Sequence, residues 1–219
     1  MSTSIMRDRD IRTSLHGELQ RAHRHYANET LFIDELGLCQ GNARIDLAVV
    51  NGSLSGYEIK SERDTLQRLP HQVEVYSRAL DYVTIVASES HIDKTIGLIP
   101  EWWGVIATLM QQGDISFRLV RQPQPNPAID PYSVAQLLWR PEVVAILGEL
   151  GVKKGVAGKS RRVLWRTLAE TLPIDELRDC VRHTLKVRER WRSELPRTLH
   201  DGSFRSSSIS SHFPVQLMD

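Results

Sequence analysis

ARIDLAVVNGSLSGYEIK, residues 43–60, is the stretch on which the reading of this chain turns. Residues 43–50 are rich in aliphatic and β-branched side chains and 51–56 carry turn chemistry, which predicts a strand, a turn and a second strand resuming at Leu54 or Tyr57. Successive strand side chains point to opposite faces. Glu58 and Lys60 therefore project together, away from Tyr57 and Ile59, while Arg44, Asp46 and Ala48 share one face of the first strand. Whether Asp46 meets Glu58 depends on register. A two-residue loop, Asn51-Gly52, would pair Val50 with Ser53 and set Asp46 against Tyr57, turning Glu58 to the wrong face. The two acids converge only if the loop has an odd length, such as 51–53 or one reaching to Ser55, or if a bulge intervenes.

Two carboxylates and an ammonium on one sheet face make a chemical site. Hard divalent cations take carboxylate oxygens, and Mg²⁺ keeps waters and uses few protein ligands. A cation there would acidify a bound water and offset charge on a phosphoryl oxygen, with Lys60 orienting the water or steadying the developing charge. Taken alone, the same residues equally describe the solvated polar face of a hairpin.

Working outward, Ile11, Leu15, Leu19, Ala22 and Tyr26 form one apolar stripe and predict an amphipathic helix over 8–26. A second helix is expected over 70–80, with Pro70 in its first turn and Leu69, Val73, Tyr76 and Leu80 buried. YVTIVA, residues 82–87, reads as a buried strand. A short helix near 93–98 and strands near 104–108 and 115–120 complete a mixed α/β unit. Residues 121–131 contain four prolines, and a domain boundary is expected there. Helices are expected beyond it, over 133–150, 160–172 and 173–194. The expected organisation is a core over 1–122, a Pro-rich linker over 123–131, a basic helical region over 132–199 and a Ser-rich tail over 200–219. Residues 151–197 hold thirteen Lys and Arg against six Asp and Glu, although the whole chain has a formal net charge of only +1.

Composition excludes several classes. With 41% hydrophobic and 25% charged residues the 219-residue chain resembles an ordinary globular protein. Two cysteines, Cys39 and Cys180, lie far apart with no CxxC partner, which argues against a Cys-based zinc site and for a reducing cytoplasm. No secretory signal or membrane-spanning run is read. The run Gly151 to Ser160 has glycine spacing unlike a P-loop and no strand before it, so no nucleotide cofactor is expected.

Asp46 followed by Glu58-Ile59-Lys60 resembles the second and third motifs of the PD-(D/E)XK nuclease superfamily. Gln72-Val-Glu-Val-Tyr76 is similar to the QxxxY motif of RecB-type nucleases, and on a helix Gln72 and Tyr76 share a face. The run 43–76 and the helical LLWR, VLWR and ERWR segments also resemble a family of bacterial proteins within that superfamily. The likeness spans about residues 15–108. It implies a restriction-endonuclease-like core, a mixed β-sheet flanked by helices, with a C-terminal helical extension. It also implies phosphodiester hydrolysis with Mg²⁺ or Mn²⁺ held by Asp46, Glu58, the Ile59 carbonyl and a first-helix acid.

Glu18, flanking the apolar stripe, is preferred for that acid, and Glu35 in the DELG segment is its rival. Gln72 and Tyr76 support the site. Ser61, Lys153, Lys154, Lys159, Arg161 and Arg162 are expected to meet a nucleic-acid backbone, although capping and solvated helix faces account for them as well. The expected partners are DNA, with RNA as the alternative, and a second copy of the chain. A binding module on the same fold, without cleavage, is the competing reading.

Overall fold

A computed structural model describes residues 7–111, 113–152, 155–156 and 158–188. The first helix, α1 (Asp8–Ala22), forms where the stripe predicts, with Ile11, Leu15 and Leu19 buried. Its continuation to Tyr26 is a separate 3₁₀ turn. Strands β1 (Leu31–Leu38), β2 (Ala43–Val50) and β3 (Leu54–Lys60) follow as an antiparallel meander. Helix α2 (Leu69–Ala79) then crosses to β4 (Tyr82–Ser88), which lies parallel to β3. A parallel neighbour needs such a crossover, because its chain must return to the same end of the sheet. After the short helix α3 (Ile92–Ile96), β5 (Gly104–Gln111) pairs parallel with β4, and β6 (Asp114–Arg121) closes antiparallel. The result is one mixed six-stranded sheet in the order β1-β2-β3-β4-β5-β6.

Both sheet faces are covered. Helix α1 closes one with Leu47, Val49, Ile59, Val86 and Ile106. The other buries Ile85, Val105 and Trp103 beneath α2 and the C-terminal helices. Gly56 sits where α2 ends against the sheet. A Cβ there would lie 2.6 Å from Leu80 Cδ1 and 3.1 Å from Ile45 Cγ1, so any larger residue would force these buried side chains to shift.

Residues 133–150 form two helices, α4 (Pro131–Ala135) and α5 (Arg140–Glu149). Pro141 explains the break, since its ring would clash with the carbonyl four residues earlier in a continuous helix. Helices α6 (Arg161–Thr171) and α7 (Ile174–Val187) complete the layer. On α6 the buried side chains are Leu164, Trp165 and Leu168, whereas Val163 is 44% exposed.

These helices share the sheet's core: Val134, Leu138, Leu164, Trp165 and Leu177 belong to the same buried cluster as Ile85 and Val105. The proline segment is tied down as well, with Asn126 Nδ2 donating to the carbonyls of Ser77 and Leu80. The break in pattern at 121–131 thus marks a change of secondary structure within one core. A buried acid reinforces the union. Asp81 accepts from Leu54 N at 2.7 Å, from Arg178 Nε at 2.7 Å and from Arg182 Nη1 at 3.0 Å. No helix among the described residues is long and apolar enough to cross a membrane. The expected helix beyond residue 188 and the Ser-rich tail lie outside the described residues.

Candidate active site

The β2–β3 loop has three residues, with Val50 opposite Leu54, so the odd-length condition is met. The ladder ends at Leu47 opposite Tyr57. One step further, the same register sets Asp46 against Glu58. Asp46 does not continue the ladder. Its Oδ2 accepts from Ile59 N at 2.7 Å, the side chain taking a backbone partner's place where the strands part. On the other edge of β2, pairing with β1 is interrupted at the same level: Asp34–Leu47 and Leu36–Ile45 are paired, and Glu35 between them has φ of 54°. The interruption re-aims side chains, since Ile45 and Ala48, three apart, join the same core.

Glu58 is held from three sides. Lys60 Nζ and Gln72 Nε2 each donate to Oε1 at 2.6 Å, and Tyr76 Oη lies 2.7 Å from Oε2. The single phenolic proton sits between two acceptors, because the Arg44 carbonyl is also 2.7 Å away. Burial, then the Glu58 charge, raises the Tyr76 phenol, so it remains a donor. Burial also raises the Glu58 carboxyl, with Lys60 acting against it. For Asp46, burial first and the Glu58 charge second push the carboxyl up to about 7, against the Ile59 N–H and Arg12.

Arg12 was not anticipated. From the first half of α1 its Nη2 reaches Asp46 Oδ1 at 2.9 Å and Asp8 Oδ2 at 3.3 Å, and its Nη1 pairs with Glu35. Nothing in the sequence separates Arg12 from other polar helix positions except its place one turn after Asp8. Glu35, the rival acid, thus lies inside β1 and beside Asp46 through a shared guanidinium. Glu18 pairs with Arg21 at 2.5 Å, and among the described residues no hydrogen bond or ion pair joins it to Asp46 or Glu58. Six residues beyond Arg12, it sits about 9 Å further along the helix axis. The preference for Glu18 over Glu35 is therefore not supported by the geometry.

Of the remaining candidates, Ile59 enters through its N–H. Ser61 donates through N and Oγ to Asp64 Oδ2, closing the turn after β3. Asp64 therefore binds back to Ser61, and Thr65 makes no side-chain cap. Lys159 precedes α6; Arg161 and Arg162 are exposed on it, with Arg161 5.9 Å from the Trp165 ring. No hydrogen bond or ion pair among the described residues joins these three to the acids. Lys153 and Lys154 lie outside the described residues.

The oxygen set suits a hard divalent cation. Two carboxylates stand at the fork, both raised by burial, and the Glu58 charge acts on Asp46. Gln72 Oε1, on the amide whose nitrogen holds Glu58, is buried without a partner. No three His, Cys, Asp or Glu side chains form a metal cage among the described residues, but Mg²⁺ uses one or two carboxylates and keeps waters.

The family model of Bacteriophage P4 protein cII matches residues 2–210. Protein cII of Enterobacteria phage P4 is 22% identical over 184 residues, covering 84% of this chain and 68% of the phage protein. No solved structure matches. A match over nearly the whole length shows the kinship: this chain belongs to the bacteriophage P4 protein cII family.

Proposed function

We propose that this chain is a metal-dependent nuclease of the PD-(D/E)XK kind, hydrolysing DNA, with RNA as the alternative substrate. The observation that carries the reading is the fork between β2 and β3, where Asp46 accepts from Ile59 N within reach of the Glu58 charge and Lys60 binds Glu58. Asp46 and Glu58 would hold Mg²⁺ or Mn²⁺, supplying Lewis acidity toward water and the phosphoryl oxygens. Gln72 and Tyr76 fix the Glu58 carboxylate, so its oxygens are oriented before any ligand arrives. Lys60, 8% exposed at the site, donates to the attacking water or to the developing anion. Water adds to phosphorus, one P–O ester bond breaks, and a phosphomonoester and a hydroxyl result. A cytoplasmic setting and a homodimer, one site for each strand of a duplex, fit this activity.

One observation favours a non-catalytic nucleic-acid- or protein-binding module: both acids already carry a cationic partner, Arg12 on Asp46 and Lys60 on Glu58. Cleavage of supercoiled, linear and single-stranded DNA with Mg²⁺ or Mn²⁺ separates the two. Metal-dependent cutting that falls by about 100-fold or more in both Asp46→Ala and Lys60→Ala supports the nuclease. No cutting, with nucleic-acid binding intact in both variants, supports the module. Cutting that survives both changes overturns the site.

A further inference from the structure

Arg12 occupies a peculiar seat. Its guanidinium joins Asp8, Glu35 and Asp46, three acids from three elements, at a place 23% exposed. Its Nε is nevertheless buried with no acceptor, so the fork is only partly satisfied where it lies. Three carboxylates share this one guanidinium, so the cluster carries surplus negative charge. A guanidinium is weakly hydrated and meets carboxylate and phosphate with the same planar fork. The Asp46 oxygen it covers, Oδ1, is the one left free by Ile59 N–H, and so the one a cation would take.

Resting on the metal site proposed above, we infer that Arg12 is an exchangeable counter-ion: a divalent cation displaces it from Asp46, and the released guanidinium then binds a substrate phosphate. Arg12 thereby couples the two ligands. The cation must compete with the guanidinium for Asp46, which weakens its binding to the free protein. Once the cation is seated, a positive fork stands on the half-exposed flank beside Glu35 with one acid partner fewer. By linkage, a phosphate ligand that holds Arg12 away from Asp46 tightens the cation by the same factor.

The test is calorimetric titration of Mn²⁺ into the full chain, with and without a DNA oligonucleotide carrying non-hydrolysable linkages. Binding of the labelled oligonucleotide is measured in parallel, in EDTA and in Mn²⁺. Arg12→Gln is expected to bind Mn²⁺ about tenfold more tightly than wild type, the scale of one lost partly exposed ion pair. It is also expected to lose the Mn²⁺-dependent gain in oligonucleotide affinity. Arg12→Lys, a point charge without the fork, is expected between the two and carries the comparison if Arg12→Gln fails to fold. Equal Mn²⁺ affinity in wild type and both Arg12 variants, with weaker binding in Asp46→Asn, overturns the exchange and leaves the metal site standing. Asp46→Asn binding Mn²⁺ as wild type does would overturn both.

Discussion

At the scale of single residues, Asp46 is the most exposed to a physical test. Its carboxyl rises from 3.8 to about 7, by burial and then by the Glu58 charge. In the unfolded chain it would titrate near 4. Between those values the folded state holds the proton more firmly, so stability falls as pH rises from about 4 to about 7 and is flat on either side. The carboxylate then costs the folded state on the order of 4 kcal/mol above pH 7. In EDTA, the urea midpoint is expected to decline across that window for wild type. The decline should be much shallower in Asp46→Asn, which keeps an acceptor for Ile59 N, and Mn²⁺ should flatten it in wild type. An equal slope in Asp46→Asn would assign the effect elsewhere. Arg12 marks the limit of reading at this scale. A strand's parity tells which face Glu58 and Lys60 share, but no local signal says which polar residue on a distant helix will arrive opposite.

At the scale of elements, the three-residue loop sets the geometry of the site. Removing Leu54 while keeping the three-residue loop 51–53 shifts β3 by one residue against β2, putting Ser55 opposite Val50 and Ile59 in line with Asp46 and carrying Glu58 and Lys60 to the face that α1 covers. Such a chain is expected to lose metal binding and several kcal/mol of stability, because Glu58 and Lys60 would replace Tyr57 and Ile59 under α1. Retained metal affinity would mean that the register does not define the site. The strands over 43–50, 54–60, 82–88, 104–111 and 114–121 were legible because alternation and β-branched runs are local signals, and α1 and α2 because their stripes repeat. Other elements were misread for identifiable reasons. Pro141 splits the helix expected over 133–150, a signal present but passed over. The interruption at Glu35 depends on the pairing of two strands, so neither strand's sequence alone reveals it.

At the scale of the whole molecule, the fold is tied together by Asp81. It is 2% exposed and joins the first residue of β3, through Leu54 N, to Arg178 and Arg182 on α7. Removing one member of a buried ionic group strands the others, at a cost of about 3–5 kcal/mol. Asp81→Ala is therefore expected to lower the urea midpoint sharply. Asp81→Asn, which keeps the acceptor for Leu54 N, should cost less. A surface-like loss below about 1 kcal/mol would show that α7 is held by its apolar face alone. That α4–α7 and the sheet share one core was not legible, because the four prolines of 121–131 imitate a linker and the contacts that cancel the impression lie far apart in sequence.

The shared core also has a consequence in time. During synthesis the strands emerge first, and the sheet face bearing Ile85 and Val105 then waits for residues 134–185 before its cover is complete. At roughly 5–20 residues per second that is a delay of several seconds with apolar β-structure bare to the surrounding proteins. The nascent chain therefore passes through a sticky adolescence, and its yield in a cell depends on how fast it is translated and on what shields it meanwhile.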